Sequence, residues 1–354
     1  MAGKRRPTMA DVASRAKVSL STVSLAYSGA GPISPDMKAK VMNAAEELNY
    51  SGPSAQARAL RSGRSHVVGL VVHDQLSLAF RAPLVLNVMD GLISDLGEMG
   101  LGVLLIPSPS GNESETSLLE SAPMDAAVLL RVRDHDEPAL EILRKRSIPT
   151  VVMDAEAPKG GAAVSIDDGP ATVELIQHLR DLGHERIGTI TLPHGPGTAT
   201  ELRANDYDPE SAWAPMHNRL RAFAQAGVEP CVVVETRESM VAEGIAAGHI
   251  ALTHESKPTA LVVQSDVLAA GAILAARELD LAVPHDVSIV GFDGLDFPWL
   301  APHQLTTVSQ DGVAKGHAMA RLVREFLDGQ TPADAKTPLE FQVGSTSGPV
   351  NPER

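Results

Sequence analysis

The chain has 354 residues, 44% hydrophobic and 21% charged, a balance that suits a globular protein too long for one compact core. Its single cysteine, Cys231, excludes an internal disulfide framework and a cysteine-based zinc site, and no apolar run reaches the roughly 20 residues that span a bilayer. The net charge of −14 is unevenly divided: residues 1–66 carry ten Lys/Arg against four Asp/Glu, a net of +6, which leaves −20 for the rest. A basic head on an acidic body suggests that the head meets a polyanion, although a solvated basic surface has the same composition. No apolar stretch follows the basic start, so no signal peptide is expected and the protein is expected in the cytoplasm.

Residues 8–50 read as three short helices without a strand. Thr8 is placed to cap the first, with Asp11 completing a capping box and Met9, Val12 and Ala13 on the apolar side. Ser19 caps the second, which turns Val23 and either Ala26 or Tyr27 inward. Ser34-Pro35 opens the third, whose apolar positions Met37, Val41, Ala44, Ala45 and Leu48 follow helical spacing. Residues 51–66 are small and basic, a linker composition around a short Ala-rich segment. From residue 67 the pattern changes. Short apolar runs at Val67–Val72, Val103–Ile106, Ala126–Leu130, Thr150–Met153, Ile187–Leu192, Val232–Val234, Ala260–Val263 and Val287–Phe292 alternate with helix-length stretches. Those stretches are 84–99, 169–182, 217–226, 239–252, 266–279 and 312–327. This alternation predicts an α/β fold of two doubly wound parallel-sheet lobes, with a ligand site beyond the carboxyl ends of the strands. Cys231 reads as an inert strand residue, and 193–212 as a long loop.

The segments Thr8-Met9-Ala10-Asp11-Val12-Ala13, Ala16-Lys17-Val18-Ser19-Leu20-Ser21-Thr22-Val23-Ser24 and Ala44-Ala45-Glu46-Glu47-Leu48-Asn49-Tyr50 stand in order at the head. Ala57-Arg58-Ala59-Leu60-Arg61 follows them, and Ser288-Ile289-Val290-Gly291-Phe292-Asp293 and Leu305-Thr306-Thr307-Val308 lie far downstream. Together they resemble the LacI/GalR family of bacterial regulators over essentially the whole chain. The resemblance implies a helix-turn-helix DNA-binding domain at 1–50, a hinge helix at 51–66 and an effector-binding and dimerisation domain at 67–354. It places the N-lobe at about 67–165 plus 309–338 and the C-lobe at about 166–308 plus 339–354. It also implies a homodimeric repressor that binds a duplex operator and answers to a small effector such as a sugar.

By the same resemblance Leu20, Ser21, Thr22 and Leu25 face base edges in the major groove, with Thr8, Lys17, Ser19 and Tyr50 beside the DNA. Paired hinge helices bring Ala57, Arg58, Leu60 and Arg61 to the minor groove, Leu60 as a wedge between base pairs. The chain departs from the family at Leu25, where arginine is frequent, and at Lys17, where a turn glycine is common. An extra residue in Tyr50-Ser51-Gly52-Pro53 precedes the hinge.

For the effector, Arg219 matches the family's clamping arginine and Asp293 its effector-binding acid, while Ser265 and Asp266 stand where the family has Asp and Asn. Asp154, His73, Asp74 and Phe80 follow strands in comparable positions. Acids at strand ends suit ligand hydroxyls, and the planar fork of an arginine suits vicinal hydroxyls or anions. No aromatic stacking residue is evident around Arg237–Ser239. The alternatives are an α/β enzyme and a small-molecule-binding protein without a DNA role. Against the first, the sequence has no Gly-Lys-Ser/Thr phosphate loop, Gly-x-Ser-x-Gly or His-Glu-x-x-His motif, and its twelve histidines lack metal-ligand spacing. No metal or other cofactor is expected.

Overall fold

The computed structural model describes residues 7–29, 31–52, 63–72, 79–107, 118–132, 138–193, 200–202 and 214–353. The chain divides into two compact units, Met1–His66 and Val67–Arg354. The hinge residues Ala57, Arg58, Leu60 and Arg61 and the candidates His73 and Asp74 lie outside the described residues.

The first unit contains α1 (Met9–Ala16), α2 (Leu20–Ser28) and α3 (Pro35–Glu47). Each begins at the hydroxyl expected for it. Thr8 Oγ1 accepts from the Asp11 N–H while the Asp11 carboxylate accepts from the Thr8 N–H at 2.7 Å, a complete capping box. Ser19 accepts from Thr22 N at 3.1 Å, and Ser34 from Met37 N at 3.3 Å ahead of Pro35 at the first turn. The α1–α2 turn closes on Lys17 in the left-handed conformation (φ 50°, ψ 50°), the geometry for which glycine is the usual choice. Val12, Val23 and Val41, all fully buried, form the centre of this small core. Of the two alternatives for α2, Ala26 is buried and Tyr27 packs at the edge of the core, its ring edge-on to Tyr50 at 5.7 Å. Gly52 takes φ 105°, and a Cβ there would press on the Tyr27 ring at 3.2 Å.

The second unit holds two sheets. The first comprises β1 (Val67–Val72), β2 (Gly102–Pro107), β3 (Ala126–Leu129), β4 (Thr150–Met153), β5 (Ala162–Ser165) and β12 (Ala335–Lys336), in the order β12-β5-β4-β3-β1-β2 and parallel throughout. The second comprises β6 (Ile187–Thr191), β7 (Glu201–Leu202), β8 (Val233–Glu235), β9 (Ala260–Val263), β10 (Ser288–Asp293), β11 (Thr306–Gln310) and β13 (Leu339–Gln342). Its order is β13-β11-β10-β9-β6-β8-β7, parallel except for the two edge strands β7 and β13. The helices are α4 (Pro83–Glu98), α5 (Pro138–Lys145), α6 (Asp168–Asp181), α7 (Ala214–Gln225), α8 (Val241–Thr253), α9 (Asp266–Glu278) and α10 (Gly312–Leu327). Strands such as β3 and β9 are buried along their whole length, as expected for sheets covered on both faces.

The chain passes from one sheet to the other after β5, again between β11 and α10, which packs on α4 and the first sheet, and a third time between β12 and β13. Helix α5 and strands β5, β11, β12 and β13 were not anticipated, and β7 lies inside the stretch expected to be loop. Cys231 is half-buried in the turn ahead of β8 rather than in the strand.

Candidate functional site

Two places concentrate functional chemistry. On the first unit, the N-terminal end of α2 exposes polar and apolar groups together. Leu20 is 53% exposed, a large apolar side chain that the local core does not use, with Ser19, Ser21 and Lys17 exposed beside it. The Ser19 hydroxyl lies 2.7 Å from Ser21 Oγ and 2.8 Å from Thr22 Oγ1, so these hydroxyls are pre-ordered at the helix tip. Other candidates are partly committed within the domain. Leu25 is half-buried and borders Gly31, Thr8 shares its hydroxyl with Asp11, and the Tyr50 ring packs on Tyr27.

On the second unit, a cavity of about 170 Å³ is lined by side chains from both sheets. Its wall is built largely where strands end: Val72 on β1, Asp154 after β4, Leu192 after β6, Ser265 after β9, Asp293 on β10 and Gln310 on β11. This is the site that a doubly wound fold favours. Two of the acids are turned by unusual backbone. Asp154 takes φ 50°, and Asp293 takes φ 132°, a strain of about 1–3 kcal/mol that a non-glycine residue bears only when its surroundings hold it.

Arg219 on α7 is only 4% exposed and is held on three sides. Its Nε lies 3.4 Å from Asp168 Oδ2, its Nη1 donates to the Gln264 carbonyl, and its guanidinium lies 3.6 Å from the centroid of the Phe292 ring. Asp293 Oδ1 accepts from Gln310 Nε2 at 2.7 Å. Lys315, fully buried on α10, donates to both oxygens of Asp154 at 2.9 and 3.1 Å and to Gln310 Oε1 at 2.7 Å. Ser265 and Ser239, also on the lining, share a hydroxyl contact at 2.8 Å.

Sequence reasoning therefore placed Arg219, Asp293, Asp154 and Ser265 where the cavity is, but two candidates lie elsewhere. Phe80 is 50% exposed and does not line the cavity. Asp266 is fully buried behind the wall, where its carboxylate accepts from Thr307 Oγ1 and from the Leu295 N–H, each at 2.7 Å. It fastens the loop after β10 and does not line the cavity. A Cβ on Gly291 would meet its Oδ1 at 2.1 Å, so the strand must carry glycine there. Gln310, Lys315, Asp168 and Gln264 went unrecognised. No aromatic side chain lines the cavity among the described residues.

Burial pushes the Asp266 carboxyl up to about 7, with the charge of Asp293 adding to the rise. Burial likewise pushes Asp293 up to about 6, against the opposing pull of Arg219. Asp168 is raised by burial too, with Arg219 again opposing. The ordinary value of 3.8 holds for Asp266 and Asp293 in the unfolded chain, so between about pH 4 and pH 7 the folded state keeps protons that the unfolded state has released. Stability from this pair is therefore full at the acid end and falls as pH rises through the folded values. Urea unfolding should give a higher midpoint at about pH 5 than at about pH 8, with that difference reduced in Asp266→Asn. The asparagine can still accept from Leu295 N and donate to Thr307 Oγ1. An undiminished difference in the variant contradicts this assignment.

Among the described residues no cluster of three His, Cys, Asp or Glu side chains is placed to hold a metal, and no helix is long and apolar enough to cross a membrane.

Comparison with known proteins matches residues 8–52 to "Bacterial regulatory proteins, lacI family" and residues 176–346 to "Periplasmic binding protein-like domain". An HTH-type transcriptional regulator of Mycolicibacterium smegmatis is 33% identical over 98% of this chain and 97% of its own length. The HTH-type transcriptional regulator DegA of Bacillus subtilis is 30% identical over 98% and 99%. Among solved structures, a transcriptional regulator CelR–cellobiose complex superposes with a TM-score of 0.66 at 25% identity, covering 97% of this chain and 100% of that one. The lac repressor dimer bound to operator and the anti-inducer ONPF superposes with a TM-score of 0.78 at 21% identity, covering 97% and 100%.

Proposed function

The chain belongs to the LacI family of bacterial transcriptional regulators, and from that premise we propose that it works as a homodimeric repressor whose operator affinity is set by a small polyhydroxylated effector in the cavity. It is a DNA-binding regulator and not an enzyme. The observation that carries the DNA reading is the tip of α2. There an exposed Leu20 and ordered hydroxyls stand on a head of net charge +6. Hydroxyls at a helix tip can donate to or accept from base edges, and a leucine can contact a thymine methyl. Lys17, exposed at the turn, is suited to a backbone phosphate. With Leu25 in place of a family arginine, a bidentate guanine contact worth about 1–3 kcal/mol is missing, so the operator preference departs from that of arginine-bearing relatives. The hinge completes the reading, with Leu60 as a minor-groove wedge between Arg58 and Arg61.

The effector reading rests on the cavity. Arg219, Asp293, Gln310 and Ser265 supply donors and acceptors, and Val72, Leu130, Met153 and Leu192 supply apolar lining. That combination suits a hydroxylated ring or chain with one less polar face. Cellobiose in the CelR complex is such a molecule. A ligand drawn between the lobes shifts their relative positions and so orders or melts the hinges. The test is selection from a random duplex pool with the full chain. A two-fold symmetric sequence should emerge, as two identical heads require. Recovery of no sequence above the starting pool, with candidate ligands present or absent, overturns the reading.

A further inference from the structure

Lys315 on α10 lies behind the cavity wall, against Asp154 and Gln310. A lysine is almost never fully buried unless it is paired, and Lys315 is fully buried. Its ammonium has three N–H groups, and Asp154 Oδ1, Asp154 Oδ2 and Gln310 Oε1 receive them at 3.1, 2.9 and 2.7 Å. Two consequences follow from that geometry. The carboxylate of Asp154, which borders the cavity, is offset by a full positive charge held behind it. Gln310 is also fixed in orientation: with its carbonyl oxygen on Lys315, its amide nitrogen must point at Asp293 Oδ1, 2.7 Å away.

The result is a continuous chain, Asp154 to Lys315 to Gln310 to Asp293, that runs from the end of a strand in the first sheet to the end of a strand in the second. Elsewhere on the wall Arg219 stands against Asp168, and Arg237 Nη2 reaches Glu243 Oε1 at 2.7 Å. Among the described residues Arg131 and Glu238 also line the cavity. A ligand carrying a full charge would have to compete with an existing pair at Asp154, Arg219 or Arg237 to be received there. An uncharged hydroxyl, which both donates and accepts, can be added to each pair without displacing a partner.

We propose that Lys315 is a specificity-determining residue: by offsetting Asp154 and aiming Gln310 at Asp293, it makes the cavity select uncharged polyhydroxylated ligands over amino-bearing or phosphorylated forms of the same skeleton. The proposal rests on the reading of this cavity as the effector site. Lys315→Met leaves Asp154 as an uncompensated anion and turns the preference toward amines. Asp154→Asn leaves Lys315 as an uncompensated cation and turns it toward anions. The two variants err in opposite directions, which a purely structural role for the pair does not produce.

The experiment uses the full-length protein and a panel of aldoses and polyols, each offered as the parent compound, the amino sugar and the sugar phosphate, at millimolar concentration. Calorimetry measures affinity, and a thermal melt confirms that each variant is folded. The wild type should bind a parent compound at least about ten-fold more tightly than its charged forms. In Lys315→Met the ratio of amino to parent affinity should rise by about ten-fold or more, and in Asp154→Asn the ratio of phosphate to parent affinity should rise likewise. If one variant does not fold, the other still decides. The proposal is overturned if the wild type prefers a phosphorylated or amino ligand, or if a folded variant weakens all three forms equally. Binding of no compound in any charge class overturns the effector reading of the cavity instead.

Discussion

Arg219→Ala should leave a regulator that still binds its operator but no longer answers to its effector. The guanidinium lies at the cavity wall with its charge set against Asp168 and its flat face on Phe292, so its orientation is fixed, and in the proposed role it offers a planar fork of donors to ligand. Truncation removes that fork and also strands Asp168, which is as deeply buried as the arginine. Breaking a buried pair in this way costs roughly 3–5 kcal/mol, so the variant should melt at lower temperature and is best assayed in the cold. Arg219→Lys separates the two effects. It keeps a cation for Asp168 but loses the planar two-pronged geometry, and should fold while binding ligand at least about ten-fold more weakly. Operator titrations with and without ligand read both variants, and a ligand response equal to that of the wild type removes Arg219 from the site.

Leu60→Ala has the second large effect, on the DNA side. A leucine wedge opens a base step at a cost of a few kcal/mol, which the added contacts of a bent site repay. Alanine is too short to hold the step open, so the contacts made only on bent DNA go with it. Specific affinity should fall by roughly 100-fold, while binding to scrambled duplex, carried by Lys and Arg against phosphates, stays within about two-fold. A competition titration with operator and scrambled probes measures the two together. Equal losses on both probes contradict the wedge.

What could be read before folding was largely what is local. Thr8, Ser19 and Ser34 begin their helices because a hydroxyl three residues ahead of an orphan N–H is a short-range interaction written in the sequence. Strands β1, β3 and β9 were legible because a strand covered on both faces must be apolar throughout. The strands that escaped lack that signature. β5 begins in Ala162-Ala163 after two glycines, and β11 is Thr-Thr-Val-Ser-Gln, polar although largely buried. Thr306 and Thr307 are hidden because their hydroxyls bond to Ser347 and Asp266, partners that no local pattern reveals.

The same division runs through the site. Arg219, Asp154 and Asp293 were recognisable by resemblance or by position at strand ends. Asp266 occupies a comparable position, yet Thr307 and the loop at Leu295 enclose it, and a sequence does not distinguish a carboxylate that faces a ligand from one that ties a loop. Lys315 was invisible for the converse reason. In an amphipathic helix a lysine reads as a solvated residue, and its partner Asp154 is 161 positions away.

A cavity and an operator site coupled through one chain must each change the other's affinity, which reciprocal titration measures. Operator affinity is measured with the cavity empty and saturated, and ligand affinity with operator absent and saturating. Both affinities should change by the same factor, on the order of 5- to 150-fold, as linkage between two sites requires. A ligand that saturates the cavity while the operator affinity stays unmoved contradicts it.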